Sequence, residues 1–131
     1  MIRFSRRDIE QIAQRVIAAY RSLPEVKNTT IRKIDPELLV TKVLRLHLEY
    51  AHLSLDGYTL GMTCFHEMDV EIFDEDDTSM FYTMDGNTIL VERDLRNDCS
   101  CIGRCNFTIM HEGAHQIFKI LYPAAYGTPK K

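Results

Sequence analysis

The chain has 131 residues, 45% of them hydrophobic, with a formal net charge of −3 and a pI near 5.9. That is enough apolar material for one globular domain with a real core. The mild acidity argues against a nucleic-acid surface, which needs clustered Lys and Arg, and no apolar run approaches the roughly 20 residues that span a bilayer.

Taken in chain order, Ser5 and Asp8 form a loose capping box, and Ile9, Ile12, Ala13, Val16, Ile17 and Tyr20 recur on one face. This predicts a first helix over about Ser5 to Ser22, followed by a loop from Leu23 to Thr30 broken by Pro24. Asp35 caps a second helix with Pro36 at its first position, and Leu38, Leu39, Val43 and Leu46 continue an apolar stripe. From His47 the period changes to two. Leu48, Tyr50 and Leu53, then Tyr58 to Phe65, predict strands joined through the Asp56-Gly57 turn. A further strand is expected near Val70 to Phe73, and Phe81 to Thr83 is expected to pair with Thr88 to Glu92 around Asp85-Gly86-Asn87. Helices followed by a small sheet and a last helix define an α+β fold class.

The stretch from Glu67 to Asp77 holds seven carboxylates. It reads as a solvated strand face and loop, with a docking surface for a basic partner as the functional alternative. It lacks the glycine and glutamate positions of a calcium-binding EF-hand loop. Cys64 falls in an apolar strand and reads as core. His47, His52 and His66 lie on strand or loop positions and read as locally satisfied histidines.

The segment that carries chemistry is His111-Glu112-Gly113-Ala114-His115, an H-E-x-x-H pentapeptide. With five histidines and nine glutamates in the chain, chance produces such a match in about one chain in a hundred. Phe107, Met110, Ala114, Ile117, Phe118 and Leu121 recur at steps of three and four, so the motif is expected on a helix with that stripe buried. Pro123 is expected to close it. Histidines four apart project from one helix face, where both imidazoles can meet one metal ion. His111 and His115 then fall at the edge of the stripe, facing a cleft, with Glu112 beyond His115. Glu112 lies where a general base for metal-assisted hydrolysis must lie. The alternative is a pair of histidines bordering an apolar face beside an exposed glutamate.

The run Arg104-Cys105-Asn106-Phe107-Thr108-Ile109-Met110-His111-Glu112-Gly113-Ala114-His115 resembles the signature of the ImmA/IrrE family of metallo-endopeptidases. The family-like order extends over most of the chain, though only the last quarter is specific. The resemblance implies a zincin-like domain over residues 1–131, with Zn2+ held by His111 and His115 and with Glu112 as catalytic base. It further implies a peptidase whose protein substrate is a helix-turn-helix repressor of a phage, mobile element or stress response; the few cysteines, with no signal peptide and no spanning run, separately lead to the expectation of a soluble, cytoplasmic protein. No direct nucleic-acid or membrane contact is expected, and the oligomeric state is left open. The Gly113-Ala114 order departs mildly from the family, where glycine commonly sits just before the second histidine.

A catalytic zinc needs three protein ligands and an open position. Residues Gln116 to Lys131 contain no Asp, Glu, His or Cys. Three explanations compete: a chain that is a piece of a longer protein, a third ligand from upstream, or a degenerate site. The first is favoured, because Pro129-Lys130-Lys131 reads as a linker. Cys99, Cys101 and Cys105 form a C-x-C-x3-C cluster whose spacing does not suit a zinc knuckle. They read as reduced thiols in a cytosolic protein, with a redox sensor as the minor alternative. The main alternative function is a non-catalytic protein-binding module with an incomplete metal site.

Overall fold

The computed structural model of the chain describes residues 5–30 and 33–121. The capping box forms: Asp8 N donates to Ser5 Oγ and Ser5 N to Asp8 Oδ2, both at 3.1 Å, opening helix α1 (Arg6–Arg21). Asp35 accepts from Glu37 N at the start of α2 (Pro36–Leu38), with Pro36 at the position where its missing N–H costs nothing. The helix then widens into a π turn over Leu39–Val43, closed by Leu44 N donating to Leu39 O. Leu39 and Val40 are its buried residues.

The strands form, but their partners differ from those expected. β1 (His47–Ala51) and β2 (Gly61–Thr63) do not pair with each other across the Asp56-Gly57 turn. β5 (Thr88–Glu92) lies between them, parallel to β1 and antiparallel to β2. β3 (Met68–Phe73) and β4 (Ser79–Met84) form a separate antiparallel pair, so Phe81–Thr83 bonds to β3 rather than to β5. The physical reason lies in β5, which is buried at all five positions and needs cover on both faces and both edges. The turn after β4 exists, with Asp85 Oδ1 accepting from Asn87 N and Thr88 Oγ1. It passes the chain from one sheet to the other instead of closing a hairpin.

Three layers result. Ile89 and Val91 pack with Leu39, Val40, Leu95, Cys105 and Ile109 between the sheet and the helices. Leu90, on the other face of the same strand, packs with Leu53, Cys64 and Met84 beneath the β3–β4 pair. After β5 come α3 (Arg93–Asn97), a short 3-10 turn and α4 (Ile102–Leu121). The acidic stretch is largely exposed, with Asp69 and Glu71 taking hydroxyl bonds from Thr83 and Ser79 on β4. The fold is thus mixed α+β, and no helix among the described residues is long and apolar enough to cross a membrane.

Candidate functional site

The motif lies on α4, as its periodicity requires, but the helix buries a different face from the one its apolar stripe predicts. Cys105, Thr108, Ile109, Glu112, Gly113 and Gln116 are buried, whereas Phe107 is 71% exposed and Leu121 is also exposed. The apolar stripe instead looks toward α1. Met110, Ala114, Ile117 and Phe118 line an open apolar groove of about 290 Å3 with Ile12, Val16 and their neighbours. The face that meets the sheet is chosen by close approach and hydrogen bonding. A Cβ on Gly61 of β2 would stand 2.6 Å from Thr108 Cγ2 and 3.2 Å from Glu112 Cγ, so the strand backbone and α4 touch there only because the residue is glycine. Gly113 plays the same part toward the π turn, where its Cβ would lie 3.0 Å from Val40 Cγ1.

His111 and His115 are both exposed, with ring centroids 5.0 Å apart and planes at 84°. Phe107 stacks on His111 from the preceding turn at 6.0 Å. Glu112, expected beyond the edge of the stripe, is 8% exposed and turned in toward Gly61, and its Oε2 is buried without a hydrogen-bond partner. Burial pushes its carboxyl above the usual carboxylate range, with the His115 and His111 imidazoles opposing that shift when charged. A buried, unpartnered carboxylate oxygen costs about 1–3 kcal/mol, a cost a fold seldom carries without a use for the group. Two exposed imidazoles on one face beside such a carboxyl suit a divalent ion that takes nitrogen ligands and a nearby general base. The donor set fits zinc with two of its protein ligands. Among the described residues, no third His, Cys, Asp or Glu joins His111 and His115 in a metal-sized cluster.

The described cluster of metal-ligating type is His52, Glu92 and Asp94, whose ligand atoms lie within 4.8 Å of one another. Glu92 caps α3, and its carboxylate accepts from Leu53 N at 2.9 Å, Asp94 N at 3.1 Å and His52 Nδ1 at 3.1 Å. Burial alone would raise this carboxyl, but the two backbone donors and His52 outweigh it and hold it below the usual range. Its oxygens are already committed, so the cluster acts as a clamp joining the ends of β1, β5 and α3. His52 extends the clamp to the β3–β4 pair, since its carbonyl accepts from Phe73 N at 2.9 Å. His47 pairs with Glu49, and His66 is exposed. None of these three histidines is clustered with the motif imidazoles.

Among the described residues, the cysteines form no cluster of metal-ligating type. Cys105 is core, in contact with the sheet-facing cluster, and burial pushes its thiol up, as it does that of Cys64. Cys101 donates weakly to Asp98 at 3.6 Å. The Cys99 side chain and Pro123 lie outside the described residues. A buried thiol pushed up in this way carries less thiolate than an exposed one at its ordinary value.

Two residues of the site escaped the sequence reading, Gly61 and Gln116. An isolated glycine in a strand pattern is the signal for a close backbone approach, and a lone glutamine one turn beyond the motif marks a polar side chain on the buried face. No family model matches the chain, and no curated protein or solved structure matches it either.

Proposed function

We propose that this chain is a zinc-dependent endopeptidase of the kind its motif resembles, hydrolysing a peptide bond in a protein substrate such as a helix-turn-helix repressor. The observation that carries the reading is Glu112, buried, unpartnered and flanked on its own helix by two exposed imidazoles. His111 and His115 would hold the ion, which when bound polarises a carbonyl and acidifies water. Glu112, with its carboxyl raised by burial, is suited to take a proton from the attacking water and return it to the leaving amine. β2 is an edge strand beside Glu112, so an extended peptide can add to it by main-chain hydrogen bonds and bring its scissile bond to the carboxyl.

The test is to load wild type and Glu112→Gln with one equivalent of zinc, verify the metal by elemental mass spectrometry beside His115→Ala, and follow cleavage of casein and of a purified helix-turn-helix repressor. Cleavage by wild type alone, at equal zinc content, is the expected result. Hydrolysis retained in Glu112→Gln would take that residue out of the mechanism.

A second reading is a protein-binding module without catalysis. It is favoured by the lack, among the described residues, of a third ligand clustered with the two histidines. Zinc lost to a mild chelator, with repressor binding kept and no cleavage, would establish it.

A further inference from the structure

We propose that Gln116 is a positioning residue for Glu112: its side-chain amide ties edge strand β2 to α4 and so holds the strand's backbone against the glutamate. For any effect on turnover this rests on the peptidase reading; the positioning itself does not.

Gln116 lies one helical turn beyond Glu112 on the same face of α4. It is fully buried, and its Nε2 donates to Thr63 Oγ1 at 2.6 Å and to Cys64 O at 2.8 Å. The Thr63 hydroxyl in turn donates to Thr88 O on β5 at 3.3 Å, so one amide links the helix, the edge strand and the central strand. Thr63 and Gly61 are two apart in β2 and project to one face of the sheet. Gln116 therefore anchors the strand on the side where Gly61 meets Thr108 and Glu112.

The link matters because β2 is weakly held otherwise. It is three residues long, lies at the sheet edge and, among the described residues, pairs with β5 alone. An edge strand of that length frays readily unless something pins it. Two features make Gln116 more than a filler of space. Its amide makes two directional bonds, to the last residue of β2 and to the one that follows it, and its Oε1 is left buried and unpartnered. An apolar residue of similar size would avoid that cost, so the amide is explained by what its donor end fixes in place.

The consequence is geometric. With Gln116 in place, the Glu112 side chain is packed against Gly61. Without it, β2 is free to move off α4 and the carboxyl loses the surface that fixes its rotamer. The same strand edge is the one an extended substrate would use, so a displaced β2 would misplace both the base and the peptide.

The experiment is nuclear Overhauser spectroscopy on the 131-residue chain, reading the cross-peak between Gly61 Hα and Glu112 Hγ. The variants are Gln116→Ala, Thr63→Val, which removes the bridging hydroxyl but leaves the glutamine, and Thr63→Ser, which restores the hydroxyl. The proposal expects that cross-peak to weaken at least about threefold in Gln116→Ala and Thr63→Val, to return in Thr63→Ser, and the cross-peaks within α4 and between β1 and β5 to persist. A role in stability alone would lower the melting temperature and leave the Gly61–Glu112 cross-peak of the folded protein unchanged, and that result overturns the proposal. Should Gln116→Ala fail to fold, the Thr63 pair decides in the same way. If wild type cleaves peptide, kcat of Thr63→Val falls about tenfold with KM within a factor of two. If wild type cleaves nothing, the peptidase reading fails while the cross-peaks still decide the positioning.

Discussion

The molecule buries two glutamates beside β5, and they differ in what surrounds them. Glu92, at the strand's end, has both oxygens engaged by Leu53 N, Asp94 N and His52, and its carboxyl is held below the usual range. Glu112, on α4, packs on Gly61 with Oε2 unpartnered, and its carboxyl is held above that range. The first is a satisfied carboxylate that ties three elements together. The second is an unsatisfied one beside two imidazoles. The difference teaches that burial alone does not set the direction in which a carboxyl is shifted; the state of its hydrogen bonds does.

The largest effect that would break this comparison is on activity. Glu112→Gln is expected to lower cleavage by about 10^3-fold with zinc binding intact, a loss at the scale of general acid–base catalysis. Glu92→Gln, assayed beside it at a temperature where both are folded, should stay within about threefold of wild type. Equal losses in both variants would erase the distinction between the two sites.

Stability should show the reverse order. Glu92→Gln replaces an acceptor of two backbone N–H groups and an imidazole by an amide that cannot satisfy all three, and about 2–3 kcal/mol should be lost in urea unfolding near pH 7. Glu112→Gln removes a charge that has been buried without a partner, so its melting temperature near pH 7 should equal or exceed that of wild type.

The pH dependence follows with opposite signs. Glu92 is depressed below its ordinary value of 4.5, so its contribution is in place above that pH and is lost as pH falls through the lower folded value. Glu112 is raised above 4.5, so the fold favours its neutral form, and stability is lost as pH rises through the folded value. Melting temperature measured from pH 3 to pH 7 should lose part of its acid limb in Glu92→Gln and not in Glu112→Gln.

Packing gives a smaller pair of effects. Gly61→Ala forces a Cβ to within 2.6 Å of Thr108 Cγ2 and should cost about 2 kcal/mol by overpacking. Ile117→Ala, on the half-open groove toward α1, should cost about 1 kcal/mol, less than the 2–5 typical of a sealed core. Unfolding midpoints in urea would rank the two, and a larger cost for Ile117 would mean that the groove is covered in solution.

Read along the chain alone, most local elements were legible because their signals are local. The Ser5 capping box, the Asp35-Pro36 helix start, the helix under the motif and the turn at residues 85–87 each depend on contacts a few residues apart. The H-E-x-x-H spacing likewise determined that His111 and His115 share one face, whatever the rest of the fold does. Strand partnership was not legible, since a turn of the right composition between Met84 and Thr88 serves a hairpin and a passage between sheets equally well. Nor was the buried face of α4. Hydrophobic periodicity ranks residues by transfer free energy, and by that measure Phe107 and Leu121 belong inside and Glu112 and Gln116 outside. The tertiary structure decided otherwise because a glycine on β2 lets the backbone come close, and because Thr63 and Cys64 offer Gln116 hydrogen bonds that water would otherwise supply. The sequence thus determined that His111, Glu112 and His115 stand close together on one helix, while the packing of α4 on β2 decided that the glutamate would be buried with Oε2 unpartnered, the condition that raises its carboxyl.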